Sequence, residues 1–307
     1  MNQGGIDAII TLFIVMGLGF ILKKRKVFTP SSEKFILELL QKLAIPGLML
    51  YNVTTQFSED FLGSNYPVIL ASFLSILAAI IIGLVLARIF GIQEKNQGLL
   101  TSMFAFSNTV FIGIPVITGI FGEQGIPFLM LYYLMNTILF WTLGIYLIAG
   151  EQGATLFSWQ SIKKIFNPAM LAILIGFLLL MNDISLPTPI TSSLRYLRDI
   201  VTPLSTLYMG ALIADLSFKK LPGLKPTLLI ILGRFFISPL LTYGILMFFG
   251  FSGLMVQVLV ITSALPVMMQ ISVVASYYGK DKQYTAFMTA LTTLLAIFIL
   301  PLYFYFI

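Results

Sequence analysis

The chain has 307 residues, of which 58% are hydrophobic and 10% charged, against about 25% charged in a typical soluble domain. That excludes an ordinary soluble globule and supplies apolar length for roughly eight to ten membrane spans, at some 20 residues each. Cysteine and histidine are both absent, which excludes disulfides, thiol nucleophiles, thiolate or imidazole metal sites and the usual proton carrier near pH 7; what the net charge of +6 means depends on where the charges fall.

Long apolar windows bounded by charge, Gly or Pro predict ten helical spans. They cover residues 5 to 22, 34 to 53, 66 to 90, 97 to 121, 125 to 149, 166 to 183, 192 to 216, 226 to 250, 253 to 277 and 284 to 306. The basic cluster Lys23, Lys24, Arg25 and Lys26 follows the first apolar run. That span therefore reads as an uncleaved helix with its N-terminus outside, not as a signal peptide. Glu38, Gln41 and Lys42 interrupt the second span, and Arg195, Arg198 and Asp199 the seventh. Their spacing predicts i,i+4 ion pairs, Glu38 with Lys42 and Arg195 with Asp199.

With the N-terminus outside, fourteen of the 18 basic residues fall in or beside inside connections. Only Arg195 and Arg198 are outside, while Lys42 and Arg234 lie within helices. The positive-inside rule thus supports a multi-pass protein of the cell membrane with both termini on the extracytoplasmic side. Scattered over several connections, the basic residues mark topology and give no nucleic-acid surface.

Sliding the chain by 157 residues aligns Gly19 and Phe20 with Gly176 and Phe177, Pro30 with Pro187, Pro46 with Pro203, Leu50 and Tyr51 with Leu207 and Tyr208, and Gly122 with Gly279, with no gap. The shift carries span 1 onto span 6, so each repeat holds five spans, residues 1–150 and 151–307. An odd number puts the halves in opposite orientations. Inverted repeats of this kind typify secondary transporters, whose substrate sits near the midplane where discontinuous helices of the two halves meet. The predicted fold is an all-α integral membrane protein of two inverted five-helix repeats, with scaffold and transport domains each drawn from both.

Span 4 contains FSNTVFIGIP at 106 to 115, crowding Ser107, Asn108, Thr109, Gly113 and Pro115 into its middle. Span 9 contains SALPVMMQISVVAS at 263 to 276, with Pro266, Val267 and Gln270 at comparable depth. Proline removes an amide donor and clashes with the preceding turn, so both spans are expected to break. Freed backbone groups cannot face lipid. Where two broken helices cross, the N-terminal ends of their second halves suit an anion, with Asn108 and Thr109 adding hydrogen bonds.

Ten spans split five and five, FSNTVFIGIP in span 4, ALP in span 9 and NPAMLAILIGF at 167 to 177 together resemble the auxin efflux carrier family, which includes plant carriers and bacterial organic-acid permeases. The resemblance runs over essentially the whole chain, without the long central loop of many plant members. It implies crossing helices 4 and 9, an anionic substrate beside Asn108, kinship with bile acid:sodium symporters and a homodimer. Two departures stand out. Ser107 precedes Asn108 where plant carriers have proline, which moves the expected break along to Pro115, and Tyr66 to Phe90 carries no acidic residue.

No Asp or Glu lies in either break, which argues against a highly charged sodium cage and leaves Na+ or H+ coupling open. Asp7 and Asp215 sit at helix ends and read as interfacial, whereas Arg234 lies deeper, facing either an anion or a helix-end carbonyl. Asn136 and Tyr132, Tyr51 and Asn52, and Ser205 and Tyr208 are placed to line a cavity or to glue helices together. No resident cofactor or metal is expected. The leading expectation is a permease for small organic anions, with a sodium- or proton-coupled symporter, a sensor and a channel as alternatives. An enzyme finds no support, because no acid–base or phosphate-binding constellation occurs.

Overall fold

The computed structural model describes residues 3–150, 166–215 and 223–306. The side chain of Asp7, the residues Lys163, Lys164, Lys219 and Lys220, and the end of the seventh predicted span at 216 lie outside the described residues. In chain order the helices are α1 (Gln3–Lys24), α2 (Pro30–Leu39), α3 (Ile45–Gln56), α4 (Glu59–Ile89), α5 (Glu94–Ala105), α6 (Ile114–Phe121), α7 (Ile126–Leu139), α8 (Ile145–Ala149), α9 (Pro168–Met181), α10 (Thr188–Asp199), α11 (Val201–Ala214), α12 (Leu224–Leu232), α13 (Ser238–Phe248), α14 (Leu254–Ser263), α15 (Gln270–Tyr277) and α16 (Lys282–Phe306). Among the described residues, five continuous helical stretches are long and apolar enough to cross a bilayer: Pro30–Gln56, Asn65–Ile89, Glu123–Ala149, Leu224–Phe248 and Gln283–Tyr303. Thr109–Phe121, Pro168–Met181 and Leu254–Ser263 are apolar but shorter. The chain is an all-α integral membrane protein.

Local chemistry sets the helix boundaries. Thr29 caps α2 by accepting from Ser32 N–H at 3.2 Å while Ser32 Oγ accepts from Thr29 N–H at 2.8 Å, with Pro30 at the first position. Asn167 caps α9 in the same sense, ahead of Pro168. Three internal prolines follow π-helical turns: Pro46 after Leu40–Ala44, Pro115 after Thr109–Gly113 and Pro239 after Gly233–Ile237. A proline ring collides with the carbonyl four residues back. The wider turn gives that carbonyl room, so the helix continues past proline, at Pro115 where the sequence predicts a break.

The helices gather into two compact units, each drawing on both halves of the sequence. The first comprises Met1–Val68, Val110–Met130 and Phe166–Asp215. Within it α1 packs on α11, and α9 on α3. A side chain at Gly19 would collide with the Leu207 backbone, and one at Gly176 would stand 2.7 Å from Val53 Cβ and 3.5 Å from Leu50 Cδ1. Gly19 and Leu207 are displaced by 157 residues from Gly176 and Leu50, so one contact recurs in both halves with its partners exchanged.

Polar pairs close the ends of this unit. Lys23 Nζ lies 2.6 Å from Glu33 and 2.9 Å from Asp215; burial alone would lower its pKa, but the two carboxylates outweigh burial and hold the ammonium above its ordinary value. Glu38 pairs with Lys42 at 2.9 Å as expected. Arg195 does not pair with Asp199. Arg198 instead lies over the Tyr51 ring, 4.5 Å from its centroid, and binds both Glu123 at 2.6 Å and Asp199 at 2.9 Å. The ring and a carboxylate distant in sequence decide the partner, which helical spacing alone does not reveal.

The second unit comprises Ile69–Thr109, Leu131–Ile165 and Leu216–Ile307. Here α5 packs on α8, with Gly98 against the Leu147 carbonyl, and α13 packs on α14 and α15 on α16. Close helix approach without room for a Cβ makes a direct test. Gly19→Ala is expected to lower stability by about 1–3 kcal/mol, read as a fall in thermal unfolding midpoint in detergent. Gly17→Ala, with nothing within 4 Å, leaves the midpoint unchanged or raises it.

Candidate functional site

Within the second unit two helices break and pair. After α5 the chain leaves the helical region at Phe106 (φ −94°, ψ 127°), passes Ser107 and Asn108, and enters the π-helical turn that begins at Thr109. After α14 it leaves at Ala264 and re-enters a helix at Gln270. Ser107 and Val267 face each other as an antiparallel backbone bridge. Asn108 N–H donates to the Pro266 carbonyl at 2.9 Å, and Met268 N–H to the Phe106 carbonyl at 3.1 Å. The broken helices thereby satisfy on each other donors and acceptors that lipid cannot.

Each extended stretch is also clamped by a neighbouring helix. Asn136 on α7 grips Ser107 from both sides, accepting from its N–H and donating to its carbonyl, each at 3.1 Å. Thr292 on α16 accepts from Val267 N–H at 3.1 Å and donates its own hydroxyl to the Met288 carbonyl at 2.7 Å. Both clamping residues are buried, where an unpaired amide would cost more than at a surface.

Arg234, fully buried, joins the two breaks. Its Nε donates to the Leu265 carbonyl at 3.0 Å and its Nη1 to the Phe104 carbonyl at 3.0 Å. Nη2 donates to the Ser263 carbonyl at 2.6 Å, the Leu265 carbonyl at 2.8 Å and Ser107 Oγ at 2.5 Å. Phe104 belongs to the last turn of α5, and Ser263 and Leu265 to the end of α14. A single guanidinium therefore sits at two helix C-termini, each worth about half a negative charge. Gly233 lets the arginine's backbone come this close, because a Cβ there would enter the Phe104 ring.

The structure brings together Ser107, Asn108, Thr109, Asn136, Pro266 and Val267, all buried, with Gln270 opening α15. Gly113 and Pro115 lie further along, where the π-helical turn meets α6. The break falls at Phe106 to Asn108 and not at Pro115, because backbone pairing and the Asn136 clamp create it and proline does not. Tyr51, Asn52, Ser205 and Tyr208 belong to the first unit. There Ser205 donates to the Val201 carbonyl of its own helix at 2.6 Å, Asn52 accepts from Gln56 at 3.1 Å, and the Tyr208 ring lies 6.1 Å from that of Phe111. Asp215 ends α11 at its ion pair with Lys23. Sequence reasoning missed Thr292, although Thr285, Thr289, Thr292 and Thr293 form a buried stripe at helical spacing that marks a protein-facing side.

Buried polar groups around paired helix breaks, in an all-α membrane protein free of metal-binding clusters among its described residues, define a broken-helix membrane protein. The sequence model of the family described as "membrane transport protein" matches residues 5–304. The chain belongs to that family, the auxin efflux carrier family, which is a family of transporters and not of enzymes. It is 28% identical to an uncharacterised transporter of Methanothermobacter thermautotrophicus, over 98% of each chain. It is 24% identical to an uncharacterised transporter of Methanocaldococcus jannaschii, over 97% of each.

The clamps predict a ranking. Asn136→Ala orphans the buried N–H of Ser107, at about 1–3 kcal/mol, and takes from its carbonyl one of two donors, leaving only Thr109 N–H, whereas Thr292→Val removes one acceptor at nearly constant volume and costs less. Ser205→Ala, which loses only a bond within its own helix, is nearly neutral. Thermal unfolding of the purified proteins ranks the three, and a Ser205→Ala loss as large as that of Asn136→Ala contradicts the clamp.

Proposed function

We propose that this transporter is a secondary carrier of small organic anions, carboxylates or auxin-like acids, and that it works by alternating access in the cell membrane. The observation that carries this reading is the bridged crossing in the second unit. Arg234 occupies the negative ends of α5 and α14, so the polarity left at the crossing is that of the α15 N-terminus, positive and suited to an anion. Asn108 and Thr109 stand beside the bridge as hydrogen-bonding groups, with Gln270 on the opposite strand's helix. The unit that holds the crossing is the transport body, and the other is the scaffold.

Ten spans in two inverted repeats fit the same picture. The recurrence of the Gly19–Leu207 contact as Gly176–Leu50 is what an inverted duplication produces. Alternating spans put Lys23, Glu33 and Asp215 on the inner side, Arg198 and Glu123 on the outer side, and Lys280 and Lys95 inside. Each of these groups is joined, the last through Lys280 Nζ donating to the Lys95 carbonyl at 3.0 Å.

Two experiments test the proposal. In proteoliposomes, labelled carboxylates should show saturable uptake and counterflow, and Asn108→Ala should lower kcat/KM by about 10-fold or more, the worth of one hydrogen bond to a charged group. Undiminished transport by that variant sinks the site assignment, and ohmic single-channel currents sink the carrier. Because the natural chain has no cysteine, Glu123→Cys and Lys95→Cys can be labelled singly in cells. Only the first should react with an impermeant maleimide from outside.

A further inference from the structure

The guanidinium of Arg234 is surrounded by oxygen. Three backbone carbonyls, Phe104, Ser263 and Leu265, and the Ser107 hydroxyl accept its five hydrogen bonds. No carboxylate pairs with it among the described residues. A buried arginine without an acidic partner is held by partial charges alone, here those of two helix C-termini that converge because their helices break together. Without a cation the same oxygens would face one another, and lipid offers no donor to relieve them.

We propose that Arg234 is a tethered cation that holds the crossing in place, a positioning residue whose guanidinium can be supplied as a free ion once the side chain is removed. The planar fork satisfies acceptors on α5 and α14 simultaneously, with one edge on Phe104 and the other on Ser263 and Leu265, and it fixes the spacing of the two breaks. Truncation leaves an oxygen-lined cavity of guanidinium shape. Lysine restores the charge but, as a single point donor, not the fork. The bond from Nη2 to Ser107 Oγ carries the constraint to the bridge itself, one residue from Asn108. For transport, the inference rests on the reading that the anion binds at that crossing.

The test uses the full-length protein in detergent and in proteoliposomes. Arg234→Ala should lower the thermal unfolding midpoint. Guanidinium chloride at tens of millimolar, far below denaturing strength, should then raise the variant's midpoint by about 2–4 °C while leaving the natural protein unchanged. Sodium chloride and tetramethylammonium chloride at equal ionic strength should not do so. Uptake by the variant should recover with guanidinium in parallel. A variant that is destabilised but indifferent to guanidinium overturns the proposal, as does equal rescue by tetramethylammonium. If Arg234→Ala does not fold, Arg234→Lys and Arg234→Met decide. The proposal requires a folded lysine variant of intermediate midpoint and a methionine variant below it, and a methionine variant at or above the lysine one, or a lysine variant that also fails to fold, overturns it. The thermal arm needs no substrate, so its failure counts against the tethered cation, whereas absent uptake by the natural protein counts against the carrier reading alone.

Discussion

The second unit depends on one constraint: two helices stop inside an apolar protein, and their last carbonyls must be met. Arg234 meets them on both helices at once. A carboxylate-paired arginine would be a neutral element indifferent to helix direction. This one is oriented by backbone dipoles, so its position requires that α5 and α14 end where they do. The bridge between Ser107 and Val267, the clamp of Asn136 and the support of Thr292 follow from that termination. Each satisfies backbone groups that the ending exposes.

The halves solve this problem alike but not identically. Asn136 holds Ser107 and Thr292 holds Val267, so the helix after each break supplies its clamp. Yet the first half contains a π-helical turn after its break, and the second enters α15 directly at Gln270. Arg234 likewise has no basic counterpart, since 157 residues earlier stands Leu77.

Much of this was legible in the sequence because it is written in local chemistry. Apolar length, the placement of basic residues, FSNTVFIGIP and the single proline of span 9 led to the membrane class and to Ser107, Asn108 and Pro266. The position of the first break was not legible, because Pro115 has the stronger local signal while the groups that hold the chain open at Ser107 come from residues 29 and 127 positions away. The same holds for Arg198, which, held by Tyr51 and Glu123, takes Asp199 in place of Arg195. π-helical turns escape sequence reading for a related reason. A proline announces only that something must yield, and whether the helix breaks or widens is decided by what packs around it.

The electrostatic consequence reaches furthest. Two helix C-termini and the α15 N-terminus meet at the crossing, and left alone the negative ends would outweigh the positive one. By fixing a permanent cation on the negative ends, the chain uncouples them from solvent and from any passing ion, because arginine does not deprotonate in the physiological range. In the proposed carrier the positive end of α15 then acts alone on the substrate, and its pull on an anion does not wait for a cation to arrive. In that carrier selectivity falls to the polar groups beside the bridge, the carboxamides of Asn108 and Gln270 and the hydroxyl of Thr109, none of which titrates near neutral pH. A site built only from dipoles and amides binds anions weakly compared with one built on a free arginine. In a carrier that weakness is useful, because the anion must leave the site on the far side of the membrane as readily as it entered.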